Sequence, residues 1–359
     1  MGIQEKIKEI EDEMARTQKN KATERHLGIL KAKIAQLRAK LISGGSGKGG
    51  GTGFGVRKSG DATVTLIGFP SVGKSTILIK ITNAQSEVAA YEFTTLTCIP
   101  GIMEFKGAKI QVLDLPGIIE GAKEGRGRGR EIIGVARGAD LVLMIIDAAK
   151  PKQIESISHE LEGFGIRLNK KPPNVFVSKT EKNGIMIQST VKLTQISREE
   201  IISVLNEYDI YNGDVVFRDD CGVDELIDVL VGNRVYIPTI YVINKIDLVD
   251  KKQLEKFPKE SIFISANNEY NLGMLKEQIY EKLRLISVYT KRKGEELDEE
   301  PLVVRTGTNV SEVCGLLHRE LRRNFRYALV WGKSAKHPGQ KVGLNHVLQD
   351  GDVIQIIKR

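Results

Sequence analysis

Residues 68–75 (GFPSVGKS) constrain this chain more than any other stretch. They fit G-x-x-x-x-G-K-[ST], and they lie between an apolar run at 62–67 (ATVTLI) and a helix-forming one at 75–83 (STILIKITN). Strand, glycine-bearing loop and helix in that order make a phosphate cradle. Gly68 and Gly73 let the backbone turn tightly enough for its N–H groups to surround a phosphate. The helix points its positive N-terminus at the same anion. Lys74 supplies charge to the terminal phosphates, and Ser75 can place its hydroxyl on Mg²⁺. Phe69, Pro70, Ser71 and Val72 in the loop, and Thr76 just after it, complete the expected phosphate-binding set.

Three more motifs follow, each after an apolar strand. Asp114-Leu115-Pro116-Gly117 follows residues 110–113; Asp114 is expected to hold Mg²⁺ through water, and the Gly117 N–H to sense the terminal phosphate. Asn244-Lys245-Ile-Asp247 follows residues 239–243. A carboxylate at Asp247 can accept two hydrogen bonds from the guanine N1–H and N2–H₂ edge. Adenine lacks that pair, and the wrong base would leave a buried acceptor unpaired. Ser265-Ala266-Asn267 follows residues 262–264 and can present a backbone N–H to guanine O6. An isolated DLPG is commonly a surface turn, and an isolated NKID a helix cap. Four motifs in this order point to a GTP/GDP site in a three-layer α/β sheet, and against ATP or a metabolic kinase.

Between the first two motifs stands YEFTTL at 91–96, then Pro100-Gly101. Together, GFPSVGKST, YEFTTLTCIPG and DLPGIIEGAKEGRGRGRE resemble the developmentally regulated GTP-binding (DRG) proteins of the Obg-type GTPases, and the resemblance extends over nearly the whole chain. It implies that Thr95 is the switch threonine that reaches Mg²⁺ when the third phosphate is present. Thr94 is the neighbouring candidate, and Phe93 flanks it. The catalytic set is then Lys74, Thr95 and Gly117, and the Mg²⁺ set Ser75, Thr95 and Asp114. Ile118 stands where many small GTPases place a water-orienting glutamine, and isoleucine cannot hydrogen-bond water, so slow intrinsic hydrolysis is expected. Some relatives have asparagine at the position of Ser71, where it helps bind an activating K⁺; switch I carbonyls leave K⁺ open as a ligand here. Arg126, Arg128 and Arg130 lie in a Gly-rich basic switch II, more simply read as a segment ordered by its ligand than as a catalytic arginine.

The formal net charge is +8, unevenly spread. Residues 1–60 hold thirteen Lys/Arg against six Asp/Glu, and residues 301–359 ten against four, which leaves −5 for the middle. Basic ends on a mildly acidic centre suit a polyanion. The expected organisation is a helical hairpin at 1–43, a Gly-rich linker at 44–60, a GTPase domain at 61–162 and 233–290, an inserted α+β subdomain at 163–232, and a C-terminal domain at 291–359. The hairpin follows from Ile3, Ile7, Ile10 and Met14, then Leu27, Leu30, Ile34, Leu37 and Leu41, spaced three and four apart. Asn20 is expected to break the first helix and cap the second. Arg25, Lys31, Lys33, Arg38 and Lys40 make the second arm basic. Either this arm contacts RNA or the hairpin only packs on its neighbour; the residues leave both open. Gly47-Lys48 in the linker imitates the phosphate loop but lacks its strand and its Ser/Thr.

In the insertion, residues 174–178 and 185–191 read as a β-hairpin around Lys182-Asn183-Gly184. Residues 197–208 read as a helix with a Ser197/Glu200 capping box, 214–217 as a strand and 223–231 as a helix. A closing helix is expected at 272–285. The last domain reads strand (302–305), helix (310–321), strand (327–331) and strand (353–358). It resembles the β-grasp TGS domain, and the insertion is similar to a ribosomal-protein domain. Arg319, Arg322, Arg323, Arg326, Lys333 and Lys336 near Tyr327 and Trp331 suit phosphates and stacked bases.

Cys98, Cys221 and Cys314 lack metal or redox spacing and read as reduced cytosolic thiols. No apolar run is long enough to span a membrane, and no signal peptide is evident. The reading is therefore a cytoplasmic GTP-hydrolysing switch that associates with ribosomes or RNA through its basic ends, without DNA specificity. Relatives also bind small regulatory proteins. The alternative is an RNA- or ribosome-binding adaptor whose nucleotide is a latch with negligible turnover.

Overall fold

A computed structural model of the chain describes residues 2–18, 20, 23–43, 60–82, 99–115, 134–291, 297–298 and 300–358. Its elements run in chain order as α1 Ile3–Arg16, α2 Glu24–Ser43, β1 Ala62–Ile67, α3 Lys74–Ile81, β2 Ile99–Phe105, β3 Ala108–Asp114 and β4 Leu141–Asp147. Then come α4 Gln153–Gly163, β5 Ile166–Leu168, β6 Val175–Lys179, β7 Ile185–Ser189, α5 Arg198–Glu207, β8 Gly213–Phe217, α6 Val223–Val231 and β9 Val235–Ile237. The chain continues through β10 Thr239–Asn244, α7 Lys251–Leu254, β11 Ile262–Phe263, α8 Leu272–Lys282, β12 Leu285–Thr290 and β13 Leu302–Arg305. It ends with α9 Val310–Leu317, α10 Arg319–Arg323, β14 Phe325–Trp331, β15 Gln340–Val342 and β16 Val353–Lys358. The chain divides into two compact units, one of residues 1–53 and 155–237, the other of residues 54–154 and 238–359.

The second unit holds the nucleotide-type sheet, in the order β11-β10-β4-β1-β3-β2. All neighbours are parallel except the edge pair β2–β3. Parallel strands buried on both faces need continuous apolar runs. β1 is buried throughout, and so are the first six residues of β4. One face packs Ile77, Leu78 and Ile81 of α3 and Leu275 and Ile279 of α8 against Val64, Leu66, Val112 and Leu143. All the strand C-termini of a parallel sheet lie at one end, so the loops after β1, β3 and β10 come together there.

The C-terminal sheet of this unit has the order β13-β12-β16-β14-β15. The expected closing helix stops at Lys282, and Leu285 instead begins β12, which pairs with β13 and β16. The helix expected at 310–321 breaks at His318 into α9 and α10. Asn309 caps α9 through the Glu312 amide, with Glu312 returning the bond. The β2–β3 turn sits against this sheet: Ser287 Oγ donates to the Lys106 carbonyl (3.2 Å), and Lys106 pairs with Glu277.

In the first unit α1 and α2 are both present, and Asn20 acts in the turn before α2 rather than at its cap, its Oδ1 accepting from Thr23 N (3.0 Å). Ala32 and Ala35 of α2 join a core with Ile201, Val204, Leu205, Phe217, Leu226 and Ile227. Gly28 faces Val223 and Val204, and a Cβ there would stand 3.6 Å from the Val223 methyl, an ordinary contact distance. Three of the basic α2 residues are engaged: Arg25 with Ser203, Lys31 with Asp224 and Arg38 with Glu11. Lys33 and Lys40 are exposed.

The expected β6–β7 hairpin is not formed. β8 lies between them, antiparallel to β6 and parallel to β7. β8 carries the fully buried Val215 and Phe217, so the most buried strand takes the centre and the half-exposed ones take the edges. The Ser197/Glu200 capping box of α5 is present, with Ser197 Oγ accepting from Glu200 N (3.3 Å). In the same unit Asp228 is buried between Arg167 and Arg234. Cys221 and Cys314 are buried free thiols, each pushed up by burial.

Candidate nucleotide-binding site

The loop after β1 turns as only glycine allows. A Cβ on Gly68 would lie 2.4 Å from the Ile145 carbonyl of β4. Gly73 is the N-cap of α3 at φ +97°, and a Cβ there would lie 2.4 Å from Asn244 Nδ2. Ser71 itself takes the left-handed conformation, φ +61°. Successive turns of this kind aim backbone N–H groups outward at an anion, in front of the N-terminus of α3. Lys74 is buried, and its ammonium donates to the carbonyls of Gly68 and Phe69, both at 2.9 Å.

Ser75 Oγ donates to Asp114 Oδ2 (2.8 Å) at the end of β3. Asp114 is 3% exposed, and its other oxygen, Oδ1, is buried without a hydrogen-bond partner among the described residues. A hydroxyl beside a carboxylate with a spare lone pair is the donor set of a hard cation that keeps most of its water, as Mg²⁺ does. Among the described residues no cluster of three or more His, Cys, Asp or Glu offers a fuller cage.

The loop after β10 supplies the other end. Asn244 is buried and spans two loops: Nδ2 donates to the Val72 carbonyl (2.9 Å), and Oδ1 accepts from Ala266 N (3.0 Å). Lys245, at φ +65°, sends its ammonium to the Ser71 carbonyl (2.7 Å) and to Asp147 Oδ2 (2.9 Å). Asp147 had no place in the motif reading. Its carboxyl is held below the usual range: burial works against ionisation, and the Lys245 ammonium and the Ala149 amide outweigh it. Ser265 is buried and closes a tight turn with Tyr270, while Asp247 and Asn267 are exposed.

A cleft of about 320 Å³ is lined by Ser71, Gly73, Lys74, Ser75, Thr76, Asn244, Lys245, Asp247, Ser265, Ala266 and Asn267. The structure thus brings residues from three separate motifs to one cavity. Asp114 stands behind Ser75, Val72 and Leu115 are buried, Phe69 packs against the sheet core, and Pro70 is exposed. Phe93, Thr94, Thr95, Pro116 and Gly117, with Ile118 and the switch II arginines, lie outside the described residues. So do Cys98 and the Gly47-Lys48 decoy. Asp147 carried one signal in the sequence: an acidic residue closing an otherwise apolar strand, LVLMIID.

The chain matches the family described as a 50S ribosome-binding GTPase over residues 63–179. It matches the C-terminal region of that domain over residues 182–285 and the TGS domain over residues 286–358. It is 54% identical to developmentally-regulated GTP-binding protein 1 homolog of Dictyostelium discoideum, over all of both chains. Identity to developmentally-regulated GTP-binding protein 2 of Homo sapiens is 53%, again over all of both. An uncharacterized GTP-binding protein of Methanocaldococcus jannaschii is 53% identical over 99% of this chain and 93% of that one. With a cleft that joins a phosphate loop to a guanine-type loop, and with relatives of this identity along its full length, the chain belongs to the developmentally regulated GTP-binding protein family, P-loop GTPases with a C-terminal TGS domain.

Proposed function

We propose that this protein hydrolyses GTP to GDP and phosphate and uses that cycle as a switch in association with ribosomes or RNA. The observation that carries the chemistry is the single cleft in which Lys74 and Ser75 meet Asn244, Lys245 and Asp247. It fits a guanine nucleotide with its base at Asp247 and its phosphates over α3. Asp247 accepts from N1–H and N2–H₂, and the Ala266–Asn267 backbone faces O6. Water attacks the terminal phosphorus in line, the bond to the β-phosphate oxygen breaks, and GDP leaves. Lys74 and the loop amides neutralise charge on the phosphoryl oxygens. Ser75 and Asp114 would hold Mg²⁺, which supplies further charge neutralisation when bound. Thr95 and Gly117 complete the set by their place in the family motif, and K⁺ is an activator to be tested beside Na⁺.

Lys74→Ala tests the site: GTP turnover should fall by orders of magnitude, and unchanged turnover would remove this assignment. Asp247→Asn should move preference from guanine towards xanthine nucleotides.

The ribosome or RNA role is supported by the basic termini, by the exposed Lys33 and Lys40, and by Arg322, Arg323, Arg326, Lys333 and Lys336 on the C-terminal domain. The family description quoted above points the same way. A small regulatory protein is a further partner, and the cytoplasm is the expected site of action; among the described residues no helix is long and apolar enough to cross a membrane. Co-sedimentation with ribosomes over a salt series, with GDP and with a non-hydrolysable GTP analogue, is the test. Binding that requires the analogue supports the switch. Binding that ignores the nucleotide and fades with salt indicates generic polyanion contact.

A further inference from the structure

We infer that Asp147 is a positioning residue for Lys245: its carboxylate fixes the base-loop ammonium against the phosphate loop and so sets how long a guanine nucleotide stays bound. The inference rests on the reading of the cleft as a guanine site.

β4 and β10 are parallel neighbours, and their register places Asp147 opposite Asn244. Asp147 therefore ends its strand beside the start of the base loop. Lys245 leaves β10 in a left-handed conformation, which returns its side chain across the top of β4. Its ammonium is shared between Ser71 O at 2.7 Å and Asp147 Oδ2 at 2.9 Å. The carboxylate is itself held. Its Oδ1 accepts from Ala149 N (2.9 Å), and Gln153 Oε1 accepts from Asp147 N (3.3 Å). The Lys245 and Asp147 side chains are 30% and 16% exposed, so the pair is partly removed from water and stronger than a surface pair.

Lysine is a flexible point charge with three donors, and a single carbonyl leaves it free to turn. The carboxylate removes that freedom. Lys245 lines the cleft between Ser71 and Asp247, so its stem becomes a fixed wall of the base pocket. Ser71 is likewise held in its left-handed turn by the same ammonium. Asp147 touches neither base nor phosphate, and acts through Lys245.

Asp147→Asn keeps an acceptor for Ala149 N and changes only the charge. Dissociation of a fluorescent GDP analogue should become about tenfold faster, the worth of one charge-assisted hydrogen bond. Lys245→Met should be at least as fast, and the double variant should match Lys245→Met within about twofold. A side chain that merely braced the β4 turn would multiply its effect with that of Lys245→Met. Asp147→Asn within twofold of the parent, or a double variant equal to the product of the singles, overturns the inference. Asp147→Glu, which retains the charge, should dissociate more slowly than Asp147→Asn; an equal or faster rate also overturns it. Asp247→Asn is measured alongside. If it fails to shift preference towards xanthine, the guanine-site reading falls and this inference with it. If it shifts while Asp147→Asn is silent, only this inference falls.

Discussion

Gly73 and Asn244 are 171 positions apart in sequence, yet each is required by the other. Gly73→Ala meets two costs. An alanine at φ +97° is strained by about 1–2 kcal/mol. Its Cβ would also stand 2.4 Å from Asn244 Nδ2, so the amide must move. Moving it breaks the 2.9 Å bond to Val72 O and disturbs the 3.0 Å bond from Ala266 N. Both lie in buried surroundings, where an unmet group costs about 1–3 kcal/mol. The sum is about 2–5 kcal/mol. In an Asn244→Ala background the obstructing amide is gone, and Gly73→Ala should cost only the backbone strain. The two substitutions are therefore expected to be less than additive by about 1–3 kcal/mol, the cost of displacing the amide. Native-state hydrogen exchange of the β1 and β10 amides in the nucleotide-free protein reads opening of this sheet alone. Additivity within about 0.5 kcal/mol would refute the steric argument and leave Gly73 needed for its backbone conformation only.

Other expectations follow from the same structure. Asp228→Asn should destabilise the first unit by about 3–5 kcal/mol, because Arg167 and Arg234 are 12% and 4% exposed and would lose their shared carboxylate; Asp224→Asn, which breaks an exposed pair with Lys31, should change the unfolding free energy read by urea titration by about 1 kcal/mol or less. Gly107→Ala should cost at least about 1 kcal/mol and loosen the β2–β3 turn, since φ is +79° and a Cβ there would lie 2.6 Å from Pro301 Cγ; exchange at the turn and at β12 should rise together. The folded pKa of Asp147 is lowered, so its contribution to stability is complete above the ordinary aspartate value of about 3.9 and declines as pH falls from there through the lowered value. The stability gap between the parent and Asp147→Asn should accordingly be flat from pH 7 to about pH 5 and close on the acid side.

The parts of the fold that were legible in sequence are those specified by local chemistry. β1, β16 and α6 coincide with their expected ranges because an apolar run or an amphipathic turn needs no partner to be recognised. β12 was hidden because LISVYT follows α8 directly and carries a serine, whose hydroxyl serves the Lys106 carbonyl across the unit. The supposed β6–β7 hairpin failed because strand order depends on β8, more than twenty residues further on. The Leu27–Leu30–Ile34 stripe of α2 was evident, whereas Gly28, Ala32 and Ala35 on its other flank are too small to add to an apolar stripe. Small residues announce close packing only once Val223 and Val204 are seen against them. In the cleft, motif residues were legible and the ties between motifs were not: Asp147 meets Lys245 only through the β4–β10 register.

Those ties explain why the base motif and the phosphate loop belong together. A loop that turns its N–H groups outward to an anion must turn its carbonyls inward, and each buried carbonyl needs a donor. Gly68 and Phe69 are served by Lys74, Ser71 by Lys245 and Val72 by Asn244. Two of these three donors come from the motif that reads as a guanine recogniser. Asn244 points away from Asp247's task altogether, since both ends of its amide are occupied by backbone. Half of the NKID motif is thus support for the phosphate loop. Substitution at Asn244 should then weaken GTP, ITP and XTP together, whereas substitution at Asp247 should separate them; equal discrimination by both positions would mean that Asn244 reads the base after all.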